Sequence, residues 1–190
     1  MGNVFDVLSE DHQEVRRMLA ELETGPTRAT GASDDQLLLR KRMAEQLIIE
    51  ESRHEAVEEM HFWPAVREHL TDGDRLADEA TGQEQEAKEV LNKLDKLDAS
   101  DSEFEQLLST FTAAAVEHIA FEENQVWPGL RTALSASAAD ELGSKLAAAK
   151  KNAPTRPHPH TPPSPGVLKA TGPAAAAADK ARDAVTGRGD

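Results

Sequence analysis

Apolar residues recur at helical spacing along most of the chain. Phe5, Leu8, Val15, Leu19 and Leu22 predict an amphipathic helix over residues 4–24, closed by Gly25-Pro26. A second helix starts at Ser33 or Asp34, either of which can cap it, and runs to about 69 on Met43, Leu47, Val57 and Ala65. Pro64 falls inside that pattern, so a kink or break is expected there. Leu76, Ala80, Ala87, Val90, Leu91, Leu94 and Leu97 predict a third helix over 75–97. Phe104, Leu107, Phe111, Ala114 and Ala115 mark a fourth over 102–131, and Ala139, Leu142, Leu146 and Ala149 a short fifth over 136–150. Long helices with short connections imply an all-α fold, an antiparallel up-down-up-down four-helix bundle.

Beyond Asn152 the pattern stops. Seven of the ten prolines lie there, and the segment reads as extended or disordered, with at most a short helix over Ala174–Val185. The expected organisation is a bundle over 1–151 and a flexible Pro/Ala-rich tail over 152–190 that is dispensable for any site in the bundle.

The inner face carries polar residues where a plain core stripe would be apolar. His54-Glu55-Ala56-Val57-Glu58-Glu59-Met60-His61-Phe62-Trp63-Pro64 returns as His118-Ile119-Ala120-Phe121-Glu122-Glu123-Asn124-Gln125-Val126-Trp127-Pro128. Both read H-x-x-x-E-E-x-x-x-W-P. Residues four apart share a helix face, so His54 projects with Glu58 and His118 with Glu122. Glu50 and His61 extend the second helix's polar stack, and His12 sits in the first helix's apolar stripe. Unpaired buried charge is costly, and a metal ion relieves it. Imidazole and carboxylate together suit iron, manganese or zinc. Trp63 and Trp127 read as packing at the bundle end, Glu59 and Glu123 as contacts to neighbouring helices or solvent, and His69 as exposed. His158-Pro159-His160 is a weak metal signal in a flexible run.

Composition narrows the chemistry. The 190 residues include no Cys and no Tyr, which removes disulfides, thiolate ligands and a phenolate ligand. The net charge is −14, from 35 acidic and 21 basic residues, so nucleic acid is not an expected partner. No apolar run spans a membrane and no signal peptide is read, which favours the cytoplasm.

His12, His54, Glu58, His118 and Glu122 together resemble the hemerythrin-like family of HHE cation-binding domains. The doubled H-x-x-x-E and its E-E-x-x-x-W-P extension carry the resemblance over roughly residues 3–131. It implies a four-helix bundle with a non-haem di-iron centre, and those five residues as metal ligands. The family carries His on its third helix, and this chain has none between residues 70 and 117. Helical phase puts Glu84 at that place, with Gln83 beside it; the third-helix ligand is Glu84, Gln83 or absent. A third carboxylate makes the site more anionic and favours the ferric state over reversible oxygen carriage.

The expected function is therefore to bind or react with dioxygen, nitric oxide or peroxide, or to sense iron or redox state, rather than rapid turnover. Glu58-x-x-His61, which matches the E-x-x-H of ferritin-like di-iron proteins, and the third carboxylate, Glu84, keep an oxidative enzyme, a ferroxidase or peroxidase, as one alternative. Gln125 breaks the second copy of that signature, which makes His61 a bundle-end or supporting residue. A metal-free interaction bundle is the other alternative.

Overall fold

A computed structural model describes residues 2–162 and 165–188. Among these residues every regular element is helical. Four long helices form the body, and two of them are built in three pieces. Helix α1 spans Val4–Thr24, capped by Asn3 in a reciprocal box with Asp6. Helix α2 spans Asp34–Val57 and starts from a box between Ser33 and Gln36. It continues through a π segment, Glu58–Phe62, into α3, Trp63–His69. Helix α4 spans Gly73–Leu94. Helix α5, Phe104–Phe121, continues through a second π segment, Glu122–Val126, into α6, Trp127–Ala133.

The expected break at Pro64 is thus a widened turn. Proline has no N–H, and its ring clashes with the carbonyl four residues back. Both helices answer by closing an i→i+5 bond just before the proline: Trp63 N–H donates to Glu58 O, and Trp127 N–H to Glu122 O. Each π segment therefore opens on the second residue of an H-x-x-x-E pair.

The expected fifth helix is α7, Ala136–Lys150, capped by Ser135. It crosses the start of α1 closely enough that a Cβ at Gly143 would lie 2.6 Å from the Asn3 carbonyl carbon. Two apolar clusters fill the bundle. One, at the proline end, joins Val4, Phe5, Leu8, Trp63, Val66, Leu76, Trp127 and Leu130. The other, towards the opposite end, joins Val15, Leu19, Leu47, Ile48, Leu91, Phe104 and Phe111. On each helix the polar inner residues fall between the stretches that build these clusters.

The C-terminal segment departs from expectation. Residues 165–186 form a helix, α8, with Pro173 inside it, where an extended or disordered tail with at most a short helix over Ala174–Val185 was expected. Apolar area is not what holds it. Arg156 and Arg188 both reach Asp95 at 3.0 Å, and Arg156 also pairs with Asp183 at 2.8 Å. Thr155 N–H donates to the buried Asp179, and Gln85 Nε2 donates to Pro159 O at 2.7 Å. These ion pairs and hydrogen bonds replace the core that composition denies this segment.

Candidate metal centre

The six residues singled out from the sequence come together in the polar layer. Their ligand atoms form two groups of four: His12, His54, Glu58 and Glu122, and Glu58, Glu84, His118 and Glu122. Within each group the atoms lie within 4.8 Å of one another, close enough to hold one metal ion. Glu58 and Glu122 belong to both groups. The layout follows the internal repeat: α1 and α2 give His12 and His54 to one group, and α4 and α5 give Glu84 and His118 to the other. The repeat is broken only where Glu84 stands against His12.

Two of the three imidazoles are held from behind by a hydrogen bond, and the third, His54, faces a carboxylate. His12 Nδ1 lies 3.0 Å from Glu123 Oε1, and Arg16 grips the same carboxylate with bonds of 3.0 and 2.8 Å. A carboxylate only accepts, so His12 Nδ1 carries a proton, which leaves the Nε2 lone pair for a bound cation. His118 Nδ1 lies 2.8 Å from Gln83 Oε1 in the same sense. His54 Nδ1 faces Asp11 Oδ2 at 3.5 Å, and Lys150 from α7 holds that aspartate at 2.7 Å. The three Nε2 atoms then point at carboxylates: His12 and His118 at Glu122, 3.2 and 3.1 Å away, and His54 at Glu58, 3.2 Å away. His118 Nε2 is 3.9 Å from Glu84 Oε1.

None of these inner atoms makes a hydrogen bond. The Nε2 atoms of His12, His54 and His118, both oxygens of Glu58 and of Glu122, and Glu84 Oε2 are buried without a partner. Such a set would be expensive as a neutral core and is the donor set of a cation site. The charges say the same. Burial pushes the Glu58 carboxyl well up, and the neighbouring charges of Glu122 and Glu84 push it further. Burial also raises Glu84 strongly, with Glu59 adding to it. Burial alone would raise Glu122 as well, but His118 and His12 outweigh it and hold that carboxyl low. Burial by itself would lower His12 and His118; the facing carboxylates reverse the sign and raise both. Without a cation, protons on these imidazoles stand in for it.

Both tryptophans do more than pack. Trp63 Nε1–H donates to Glu84 Oε1, which leaves Oε2 for the centre. Trp127 stacks on His12 with ring centroids 5.2 Å apart and planes 11° from parallel. Gln83 supports His118 from its outer nitrogen, so Glu84 is the α4 residue that faces the inner donors. His61 stays outside both groups, half-buried beside Pro64, Leu142 and Lys145. Glu50 turns outward to Arg53 and Lys150, and its neighbour Glu51 is buried instead, close enough to all three histidines to feel their charge. Glu51, Asp11 and Lys88 carry no spacing signal; only the partner helix shows which way they face.

Known proteins resemble this chain in the same terms. An uncharacterized hemerythrin-like protein of Schizosaccharomyces pombe is 27% identical over 184 residues, 96% of this chain and 86% of that protein. A DNA nickase of Nostoc is 24% identical over 148 residues, 78% of this chain, which spans 39% of that protein's length. The crystal structure of a hemerythrin HHE cation binding domain-containing protein from Mycobacterium kansasii shares the fold, with a TM-score of 0.65 at 22% identity over 80% of this chain and 86% of that one. Residues 3–130 match the Hemerythrin HHE cation binding domain, the span that holds every inner donor described above, and the chain belongs to that family.

Proposed function

We propose that the centre holds two iron ions between His12, His54, Glu58, Glu84, His118 and Glu122, and that the protein binds or reacts with dioxygen, nitric oxide or peroxide, or reports iron or redox state. The observation that carries this reading is the pair of four-donor groups sharing Glu58 and Glu122. Two carboxylates common to both groups suit a bridged pair of cations better than one ion. Iron bound there supplies an exchangeable coordination position and a one-electron couple. The chain's own residues do the rest. Glu123 and Gln83 fix the His12 and His118 imidazoles, Asp11 faces the outer nitrogen of His54, Trp63 orients Glu84, and the apolar clusters on either side limit water.

Glu84 decides the character of the centre. An anionic oxygen where the repeat partner is a neutral imidazole stabilises the higher oxidation state, so this reading favours reaction with a small oxidant over reversible oxygen storage. The ferritin-like alternative keeps the third carboxylate, Glu84, but not His61, which lies outside both groups. Untagged protein expressed with added iron should carry about two iron atoms per chain, one for each donor group. Far less than one metal atom per chain would overturn the reading.

A further inference from the structure

The C-terminal segment gathers cations beside the end of α4. An open pocket of ≈ 450 Å³ lies there, and the surface that lines it is mainly polar. Lys96, Arg156, Arg182 and His160 contribute to its walls, against a single carboxylate, Asp95. The chain as a whole has 35 acidic and 21 basic residues, so this pocket runs against the overall charge. Its acceptors are already taken. Asp95 holds Arg156 and Arg188, each at 3.0 Å. The last carbonyls of α4 are capped by Lys41, whose Nζ donates to Leu94 O at 3.4 Å and to Asp95 O at 2.8 Å. The remaining donors are free. Among the described residues, the side chains of Lys96, Arg182 and His160 have no hydrogen-bond or ion-pair partner, and all three residues are exposed.

Two unpaired cations and an imidazole that share one pocket complement an anion with several oxygens, and a phosphate monoester dianion offers three. Magnitude decides where that phosphate comes from. An exposed ion pair contributes about 0–1 kcal/mol, so these three groups hold a free phosphate no better than in the millimolar range. A phosphate attached to the chain beside the pocket needs no more than that, because its effective concentration is itself about millimolar or higher.

The chain supplies the point of attachment. Thr161 lines the same pocket, and its hydroxyl makes no hydrogen bond among the described residues. Thr161 N–H closes a turn onto His158 O at 3.0 Å, and exposed His160 and Pro162 flank it. Residues 157–162 form no helix or strand, so a modifying enzyme can take them up as an extended chain.

We propose that Thr161 is a phosphorylation site whose phosphate docks in this pocket on Lys96, Arg182 and His160 and fastens the C-terminal segment to the bundle. In the transfer, a bond forms between Thr161 Oγ1 and the γ-phosphorus of a nucleoside triphosphate. The β–γ phosphoanhydride bond breaks, the nucleoside diphosphate leaves, and the hydroxyl proton passes to the base of the kinase. The new dianion joins Thr161 of the Pro-rich run to Arg182 of α8 and to Lys96 beyond the end of α4. The metal centre takes no part.

Three measurements on the full chain test the site. A kinase directed to Ser/Thr-Pro sequences, with ATP, should modify Thr161, read by mass spectrometry; a chain left unmodified at Thr161 overturns the assignment. In chain made with phosphothreonine at position 161, phosphorus NMR should place the second ionisation of the phosphate about one unit below its ordinary value of about 6. Amide hydrogen exchange in α8 should slow about tenfold against the unmodified chain. Both effects should vanish in the double variant Lys96→Ala/Arg182→Ala, which removes exposed, unpaired side chains and leaves the fold intact. An ordinary ionisation with unchanged exchange, or the same shifts in the double variant, would overturn docking. Titration of the unmodified chain with inorganic phosphate separates the two sources. The Lys96 and Arg182 amides should reach half-saturation only at millimolar concentration or above; saturation well below that would make the pocket a site for free phosphate and overturn the role of Thr161.

Discussion

Glu84→Gln separates a metal ligand from a hydrogen-bond acceptor. The glutamine keeps an oxygen for the Trp63 indole N–H, so the helix packing survives, but it removes one of three carboxylates that crowd the centre. Without metal, Glu84 is one of the charges that push the Glu58 carboxyl up. Removing that charge relieves the repulsion, and each 1 kcal/mol so gained raises the melting temperature of a chain of this length by about 2–4 °C. With metal the sign reverses. The group of His12, His54, Glu58 and Glu122 is untouched, and the group of Glu58, His118 and Glu122 loses its fourth donor. Iron should fall from about two atoms per chain to about one, and the iron-loaded variant should melt below iron-loaded wild type. Melting curves with and without chelator, beside metal analysis of the same samples, read both arms. Glu84→Gln with wild-type iron content and an unchanged visible spectrum would refute the assignment and make Glu84 only the partner of Trp63.

Other outcomes follow from the same geometry. Glu123→Ala strips His12 Nδ1 and Arg16 of their shared acceptor and should weaken iron binding about 10–100-fold, measured by competition with a chelator. The metal-free chain should lose stability as pH rises above about 6.5. His12 and His118 have folded-state pKa values raised above the ordinary 6.5, so their contribution is full below that value and fades as pH rises through the folded one. The raised Glu58 acts in the same direction, and the depressed Glu122 acts only below about 4.5. Melting temperatures that rise across this window would contradict the charge picture. Truncation after Lys151 should leave iron content and absorption spectrum intact; loss of iron would tie the C-terminal segment to the centre. Asp95→Ala should speed amide hydrogen exchange in α8 with iron content unchanged, because it removes the shared partner of Arg156 and Arg188.

The doubled H-x-x-x-E was legible because its meaning is local: helical spacing alone puts each His with its Glu. Glu84 was legible only through the phase of Ala87, Leu91 and Leu94, which fixed the inner face of α4. What stayed hidden depended on distant partners. Glu50 and Glu51 are equally placed one residue apart, and Lys150, arriving on α7, draws Glu50 outward. Trp63 gave the signal of a packing residue, since nothing in its own helix marks Glu84 as its partner. The C-terminal segment failed for another reason. Apolar content was the right test for a core, but this segment is fastened by Arg156, Arg188, Asp179 and Asp183, whose pairing no local pattern announces.

The π segments make the repeat a unit of fixed length. A π turn holds one residue more than the α turn it replaces, and each residue of helix advances the face by about 100°. Winding Glu58–Phe62 as α-helix with no residue removed would swing everything downstream through that angle. The Trp63 indole would leave Glu84, although no donor had been touched. A relative that keeps both H-x-x-x-E pairs but spaces its W-P differently would hold the same donors in a differently supported centre.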